Sequence, residues 1–209
     1  MRRYLEQREI LSFLEDIRIS GLRAAQIVEN MLAFSRKPDA EGSTTTLTEL
    51  LDRTLLLAKS DYDLKKRYDF RQIEIVREYA PDVPLVVCQA SKVQQVFLNI
   101  LRNGAEAMLE VHDKGHVPRF VLRVLPDGPY VRVEIEDNGP GMDEATRKRI
   151  FEPFFTSKPP GRGTGLGLFV SYFIITEDQG GTLSVESQPG SGCRFIIRLP
   201  MAGRKQGDH

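Results

Sequence analysis

The sequence predicts an α+β fold: a two-layer sandwich with helices on one face of a mixed sheet, preceded by a long N-terminal helix. Three features carry that expectation. Residues 5–36 hold helical periodicity with no proline and a single glycine, Gly21. Two pairs of alternating, strand-like segments come later, each joined by a glycine-containing turn. Helices and antiparallel strands together point to helices packed on one face of a mixed sheet. The 209 residues can bury one good core plus an appendage, or two small domains.

In the first helix Leu14, Ile17, Gly21, Ala24, Val28 and Met31 recur at alternating steps of three and four. This is a heptad-like stripe suited to a bundle, and Gly21 and Ala24 would admit a close partner helix. A surface helix packed on its own domain is the alternative. The polar run Lys37 to Thr46 (KPDAEGSTTT) reads as a linker. Leu47 to Lys59 reads as a helix, and Ile73 to Val76 and Leu85 to Val87 as short strands. Ser91 to Val111 is the strongest helix of the second part. Phe120 to Val124 and Tyr130 to Ile135 form a hairpin through Pro126-Asp127-Gly128-Pro129. Helices are expected over Glu144 to Ile150 and Gly165 to Thr176, separated by a Gly/Pro-rich loop. Thr182 to Glu186 and Arg194 to Leu199 close the chain as strands around Gln188-Pro189-Gly190-Ser191-Gly192. No internal repeat is present.

Composition removes several function classes. With 29 basic and 29 acidic residues the formal net charge is +0, so nucleic acid and anionic membrane are not expected partners. No apolar run approaches the roughly 20 residues needed to span a bilayer, and the N-terminus lacks a signal-peptide core. The expectation is a cytoplasmic chain without membrane contact of its own, compatible with a longer, membrane-attached parent. Cys88 and Cys193 lie far apart without metal-ligand spacing, and are expected as free thiols.

Four motifs carry chemistry. Asn99-Ile100-Leu101-Arg102-Asn103 puts two amides one helical turn apart on one face. Amides beside a core stripe need partners, and a metal or polar ligand is one kind. A plain surface amide pair is the other reading. Asp137-Asn138-Gly139-Pro140-Gly141-Met142 ends a strand. An acid there can accept a hydrogen bond from an exocyclic amine, and the glycines let backbone pass close to a flat ring; alone it is also an ordinary turn. Phe151-Glu152-Pro153-Phe154-Phe155-Thr156-Ser157-Lys158 reads either as a hydrophobic latch at a lid's base, with Lys158 poised for phosphate, or as a packed aromatic cluster. Gly161-Arg162-Gly163-Thr164-Gly165-Leu166-Gly167-Leu168 opens a helix and reads either as an anion site made by exposed backbone N–H groups or as a merely flexible glycine loop. It is neither a Walker A loop nor a Rossmann turn.

In this order the four motifs resemble the N, G1, F and G2 boxes of sensor histidine kinases. The chain is similar to that family's ATP-binding domain, within the GHKL superfamily and its Bergerat-type fold, over roughly Leu47 to Met201. Glu29-Asn30-Met31-Leu32-Ala33-Phe34-Ser35-Arg36 looks like part of the second helix of the family's dimerisation and phosphotransfer domain. The implied organisation is that incomplete helical domain over 1–38, a linker over 39–46, the ATP-binding domain over 47–202 and a tail over 203–209.

The resemblance also implies ATP and Mg²⁺ as ligands and assigns residues to them. Asn103 would ligate the metal, with Asn99 supporting the phosphate side. Asp137 would take the adenine amine, in an end shaped by Gly139, Gly141 and Met142. Phe151, Phe154 and Lys158 would belong to the lid, and Gly163, Thr164, Gly165, Leu166, Gly167 and Leu168 would cradle phosphate. Asn99, Asn103 and Lys158 form the implied catalytic set. The implied reaction moves the γ-phosphate to a histidine and then to a response-regulator receiver domain, in a homodimer joined by the N-terminal helix.

The expected acceptor, a histidine followed by an acid, is absent before Leu47; the histidines are His112, His116 and His209. The first dimerisation helix is therefore expected upstream. Cys193 stands where the family often carries threonine. Two other readings stay open: an ATPase of the chaperone or mismatch-repair branch, or a nucleotide-binding dimer without catalytic output. The first would want glutamate at position 99, because an amide is no general base. A serine kinase acting on an anti-sigma-type partner is disfavoured by the heptad helix.

Overall fold

The computed structural model describes residues 42–60, 70–109, 111, 115–158 and 163–202, together with the isolated positions 10, 13, 14, 17 and 21. Those isolated positions are helical, and Phe13, Leu14 and Ile17 are exposed. Ala24, Val28 and Met31 of the expected seam lie outside the described residues, as do Gly161, Arg162, His112 and the 203–209 tail.

The chain first forms β1 (Ser43–Thr45) and α1 (Leu47–Ser60). A 3₁₀ turn (Phe70–Gln72) leads into β2 (Glu74–Tyr79), β3 (Val86–Cys88) and α2 (Ala90–Met108). The hairpin β4 (Arg119–Asp127) and β5 (Tyr130–Asp137) precedes α3 (Glu144–Arg149) and α4 (Gly167–Phe173). A π turn (Ile174–Asp178) extends α4, and β6 (Thr182–Ser187) and β7 (Cys193–Pro200) close the domain. The main sheet runs β2-β4-β5-β7-β6, parallel only between β2 and β4. It is mixed, as expected.

Period-two alternation decides which face each strand buries. On β5, Val131, Val133, Ile135 and Asp137 turn toward the helices, while Arg132, Glu134 and Glu136 lie on the opposite face. That opposite face carries Arg123, whose Nε is 2.6 Å from Glu78 and whose Nη1 is 2.5 Å from Glu136. On the helix side, α2 buries Val93, Val96, Phe97, Ile100, Leu101, Ala105 and Met108 at steps of three and four. α1 adds Leu47, Leu50, Leu51 and Leu55. Burying side chains of this size is worth roughly 1.5–3 kcal/mol each, so this face carries most of the stability. At the sheet's edge Asp52 of α1 accepts from Arg77 Nε at 2.8 Å and from the Tyr79 hydroxyl at 3.2 Å, pinning helix to β2.

The linker reading of 39–46 is corrected in part. Ser43, Thr44 and Thr45 form a strand, antiparallel to β3 in the register Thr44↔Val87. A run of small hydroxyl residues shows no apolar alternation, so only the partner strand reveals it. The last helix also differs from expectation: it begins at Gly167, and from Ile174 its bonds widen to a π turn.

Candidate nucleotide-binding site

The β5 end of the site is built around Asp137. As the strand's last residue on the helix-facing side, its carboxyl is 5 % exposed. Oδ1 accepts the Gly139 N–H at 2.9 Å, and the Cys193 N–H also bonds this carboxyl. Burial outweighs those bonds and pushes the Asp137 pKa up to about 6. Above that pH the group is a buried carboxylate with acceptor capacity facing the helix layer, suited to an amine donor.

Two loops lock around it. The Met142 N–H donates to Ser187 Oγ at 2.8 Å, and that hydroxyl donates to Gly192 O at 2.8 Å. Gly190 N–H donates to Pro140 O at 2.7 Å. Gly141 has φ +70, and a Cβ there would run into the Gln188 carbonyl. Asn138 faces away from Asp137: its Oδ1 accepts from Arg119 N–H at 2.8 Å and its Nδ2 donates to Val117 O at 2.9 Å. Cys193 lies buried beside Ser187, its Sγ 3.3 Å from that Oγ, and burial lifts its pKa to about 11. Cys88 and Cys193 are both free thiols, as expected.

The other end is supplied by α2. Asn99 Nδ2 donates to Ser171 Oγ at 3.0 Å, and Ser171 Oγ donates to Gly167 O at 3.0 Å. A Cβ on Gly167 would sit 2.5 Å from Asn99 Oδ1, so glycine here lets the Asn99 amide lie this close to the start of α4. Asn99 thus holds the glycine-rich segment against α2. Asn103, one turn on, meets Lys158, whose Nζ donates to its Oδ1 at 3.1 Å and to Glu106 Oε2 at 2.5 Å. Asn103 Oδ1 therefore already accepts a cation, which fits an amide ligand for Mg²⁺. Among the described residues no group of three or more His, Cys, Asp or Glu could hold a metal.

The aromatic motif divides. Phe151 packs against the core with its ring 5.2 Å from Tyr172, and Phe155 lies 4.4 Å beneath the Arg149 guanidinium. Phe154 is 63 % exposed with φ 65, so the three rings do not form one latch. Gly165, at φ +67, leaves no room for a Cβ against the Phe154 backbone, which brings the aromatic motif and the glycine-rich segment together. Around it, Thr164 Oγ1 accepts the Leu166 N–H at 3.4 Å, Leu166 is buried, and Leu168 packs on the core. A Cβ on Gly163 would lie 2.8 Å from Thr156 Oγ1.

The profile of the histidine kinase-, DNA gyrase B- and HSP90-like ATPases matches residues 88–203, more than half the chain. The chain belongs to this family. Within it the chain is an ATP-binding domain of the sensor histidine kinase kind. Sporulation kinase E of Bacillus subtilis is 34% identical over 179 residues, 86% of this chain and 22% of that protein. The catalytic domain of histidine kinase ThkA superposes with TM-score 0.63 at 27% identity, covering 78% of this chain and 97% of that one. Full-length ShkA, in complex with AMPPNP, gives TM-score 0.68 at 26% identity, covering 94% of this chain and 39% of that one. The chain spans only 20% to 31% of the first curated relatives it matches. No helix among the described residues is long and apolar enough to cross a membrane.

Set beside the histidine kinase boxes, the sequence reading missed four residues. Ser171 and Ser187 each tie a box to its neighbour, and a lone serine in an otherwise apolar helix was the available sign of the first. Gly104 lets the Phe120 ring and Asp137 approach α2, since a Cβ would be 2.7 Å from that ring. Glu106, one turn past Asn103 on the same face, receives Lys158.

Proposed function

We propose that this chain is the ATP-binding, phosphate-donating part of a two-component histidine kinase. The observation that carries the reading is the pairing of a buried carboxyl, Asp137, with a cation-accepting amide, Asn103, on adjoining helix and sheet: a Cβ on Gly104, next to Asn103, would lie 3.1 Å from Asp137 Oδ2. Asp137 would accept the adenine amine, in an end shaped by Gly139, Gly141 and Met142. Asn103 would hold Mg²⁺, which when bound neutralises phosphate charge. Lys158 and the backbone of Gly163, Thr164, Gly165, Leu166, Gly167 and Leu168 would bind phosphate oxygens, and Asn99 would orient that segment through Ser171. Phe151 would anchor the lid, with Phe154 at its surface.

The chemistry would be in-line transfer, in which a P–N bond to an imidazole forms as the bond from γ-phosphorus to the β–γ bridging oxygen breaks and ADP leaves. Positioning and charge neutralisation suffice for it. Efficient hydrolysis is disfavoured, because Asn99 offers water no base. The acceptor histidine would come from a helix outside these 209 residues, and a response-regulator aspartate would receive the phosphoryl group next. Residues 1–38 would serve as the second helix of a homodimeric bundle and 39–42 as the connection, with β1 already part of the ATP-binding domain.

Titration calorimetry with AMPPNP and Mg²⁺ tests the site. Asn103→Ala and Asp137→Asn should each bind more weakly, the latter by roughly 1.5–3 kcal/mol, the scale of a hydrogen bond to a charged group. Unchanged affinity in both would remove the assignment. With labelled ATP, the chain alone should acquire no acid-labile phosphate, and a supplied histidine-bearing first helix should.

A further inference from the structure

The contact between Lys158 and α2 is more than a lid resting on a helix. The ammonium sits between two oxygens from consecutive turns of one helix face, 2.5 Å from Glu106 Oε2 and 3.1 Å from Asn103 Oδ1. Both side chains of the ion pair are three-quarters shielded, at 28% and 26% exposure. Lys158 reaches this point from 52 residues away in sequence, so the fold, and not helix geometry, brings the cation there. One carboxylate and one amide oxygen, with the remaining positions left to water and phosphate, is a donor set that a small hard cation accepts.

We propose that Glu106 is a cation-site residue: with Asn103 it forms a two-oxygen seat, which the Lys158 ammonium fills until a nucleotide arrives with its metal. This rests on the ATP-binding reading above. Arrival of the metal exchanges one cation for another at the seat, and the released ammonium is then free to meet phosphate. If the ammonium moved to phosphate with no metal to replace it, Glu106 would face the triphosphate as an uncompensated negative charge, which would weaken binding of metal-free nucleotide.

The test compares AMPPNP affinity with Mg²⁺ and with EDTA, by calorimetry, in the full chain and in Glu106→Gln and Lys158→Met. In the unsubstituted chain Mg²⁺ should tighten binding. In Glu106→Gln that enhancement should shrink on the order of ten-fold, as for loss of a group supporting a metal site, while affinity in EDTA holds or rises. In Lys158→Met the enhancement should persist or grow, because the competing ammonium is gone. An undiminished enhancement in Glu106→Gln overturns the proposal. So does an equal loss in both variants, which would make the pair a lid contact only. If the unsubstituted chain binds no AMPPNP under either condition, the ATP-binding reading itself fails. Mn²⁺ relaxation enhancement in the ternary complex gives a second readout: Glu106→Gln should lower Mn²⁺ retention, and Lys158→Met should not.

Discussion

At the β5 end, Gly139 N–H meets Asp137 in a buried bond of 2.9 Å, and Met142, Ser187 and Gly192 are linked through backbone groups and one hydroxyl at 2.8 Å. At the α2 end, a charged pair, Lys158 and Glu106, meets with the neutral Asn103 amide through long side chains that water still reaches. The first arrangement is set by backbone, glycine geometry and burial, so its shape is fixed before any ligand arrives. The second is held by interactions that a triphosphate and a cation can replace at little net loss, because each broken contact has a successor of similar kind. A rigid socket for a flat, uncharged ring and an exchangeable seat for variable charge suit the two halves of a nucleotide.

The largest expected effect lies in the rigid end. Gly141→Ala puts a Cβ at φ +70 into the Gln188 carbonyl, so backbone must move. The left-handed conformation alone costs about 1–2 kcal/mol, and the clash should bring the total to about 3 kcal/mol or more. Among the described residues the nearest atoms to the Cβ of Gly163→Ala are the Thr156 hydroxyl and the Lys158 stem, both side chains, and the change should cost under about 1 kcal/mol. Urea unfolding of the two variants measures the contrast. Equal losses would erase the distinction between a fixed and an adaptable end.

Next comes Asp137, whose pKa stands at about 6 in the fold against 3.8 ordinarily. Between those values the folded protein keeps a proton that the unfolded chain has released. The stability this contributes is present below about pH 4 and lost as pH climbs through 6, on the order of 2–3 kcal/mol in all. Other carboxyls work oppositely: Asp143, held low by the Thr146 N–H, and Glu144, held low by Arg147, lose stability as pH falls. The informative quantity is therefore the difference between the unsubstituted chain and Asp137→Asn. Asp137→Asn should be the more stable of the two at pH 7, with the gap closing toward pH 4, while binding AMPPNP more weakly. AMPPNP affinity of the unsubstituted chain should also fall as pH drops below about 6, because the ionised carboxyl is the acceptor. A flat difference profile would mean that the carboxyl is not held neutral by burial.

This division also governs what the sequence could reveal. Asp137-Asn138-Gly139-Pro140-Gly141 was legible because each residue answers a local backbone demand at a strand end. Asn99 and Asn103 were legible as a pair at helical spacing, but the partner of each comes from a distant segment, Ser171 for one and Lys158 for the other. No spacing within α2 encodes them. β1 stayed hidden for the same reason, since Ser43–Thr45 becomes a strand only against Val86–Cys88. Ser187 depends on a turn closing before it can reach Met142.

A middle-sized contrast follows from the two serines. Ser187→Ala leaves the Met142 N–H and Gly192 O without their shared hydroxyl and should cost about 1–2 kcal/mol. Ser171→Ala removes one bond from Asn99, whose amide is partly exposed, and should cost about 1 kcal/mol or less. In nucleotide affinity the order should reverse, because Ser171 holds Gly167 of the segment proposed to bind phosphate. Unfolding and calorimetry on the same two proteins decide it; the same order in both measurements would detach Ser171 from the site.

The smallest expected effect has the opposite sign. Phe154 is the one non-glycine residue at positive φ among the described residues, and its ring is 63 % exposed, so it carries strain without repaying it in burial. Asparagine tolerates the left-handed region far better. Phe154→Asn should therefore stabilise the nucleotide-free fold, by about 0.5 kcal/mol once the residual apolar contact is subtracted. Strain at a site suggests use there, and Phe154 abuts Gly165 within the glycine-rich segment proposed to bind phosphate. The substitution should then weaken AMPPNP binding while the fold gains stability, the signature of a residue retained for its ligand. Phe151→Ala is the control: it empties a packed position beside Tyr172 and should lower stability by about 3 kcal/mol or more. A stability loss above about 1 kcal/mol in Phe154→Asn would show that the ring is buried in solution. A gain in stability with unchanged affinity would remove Phe154 from the site.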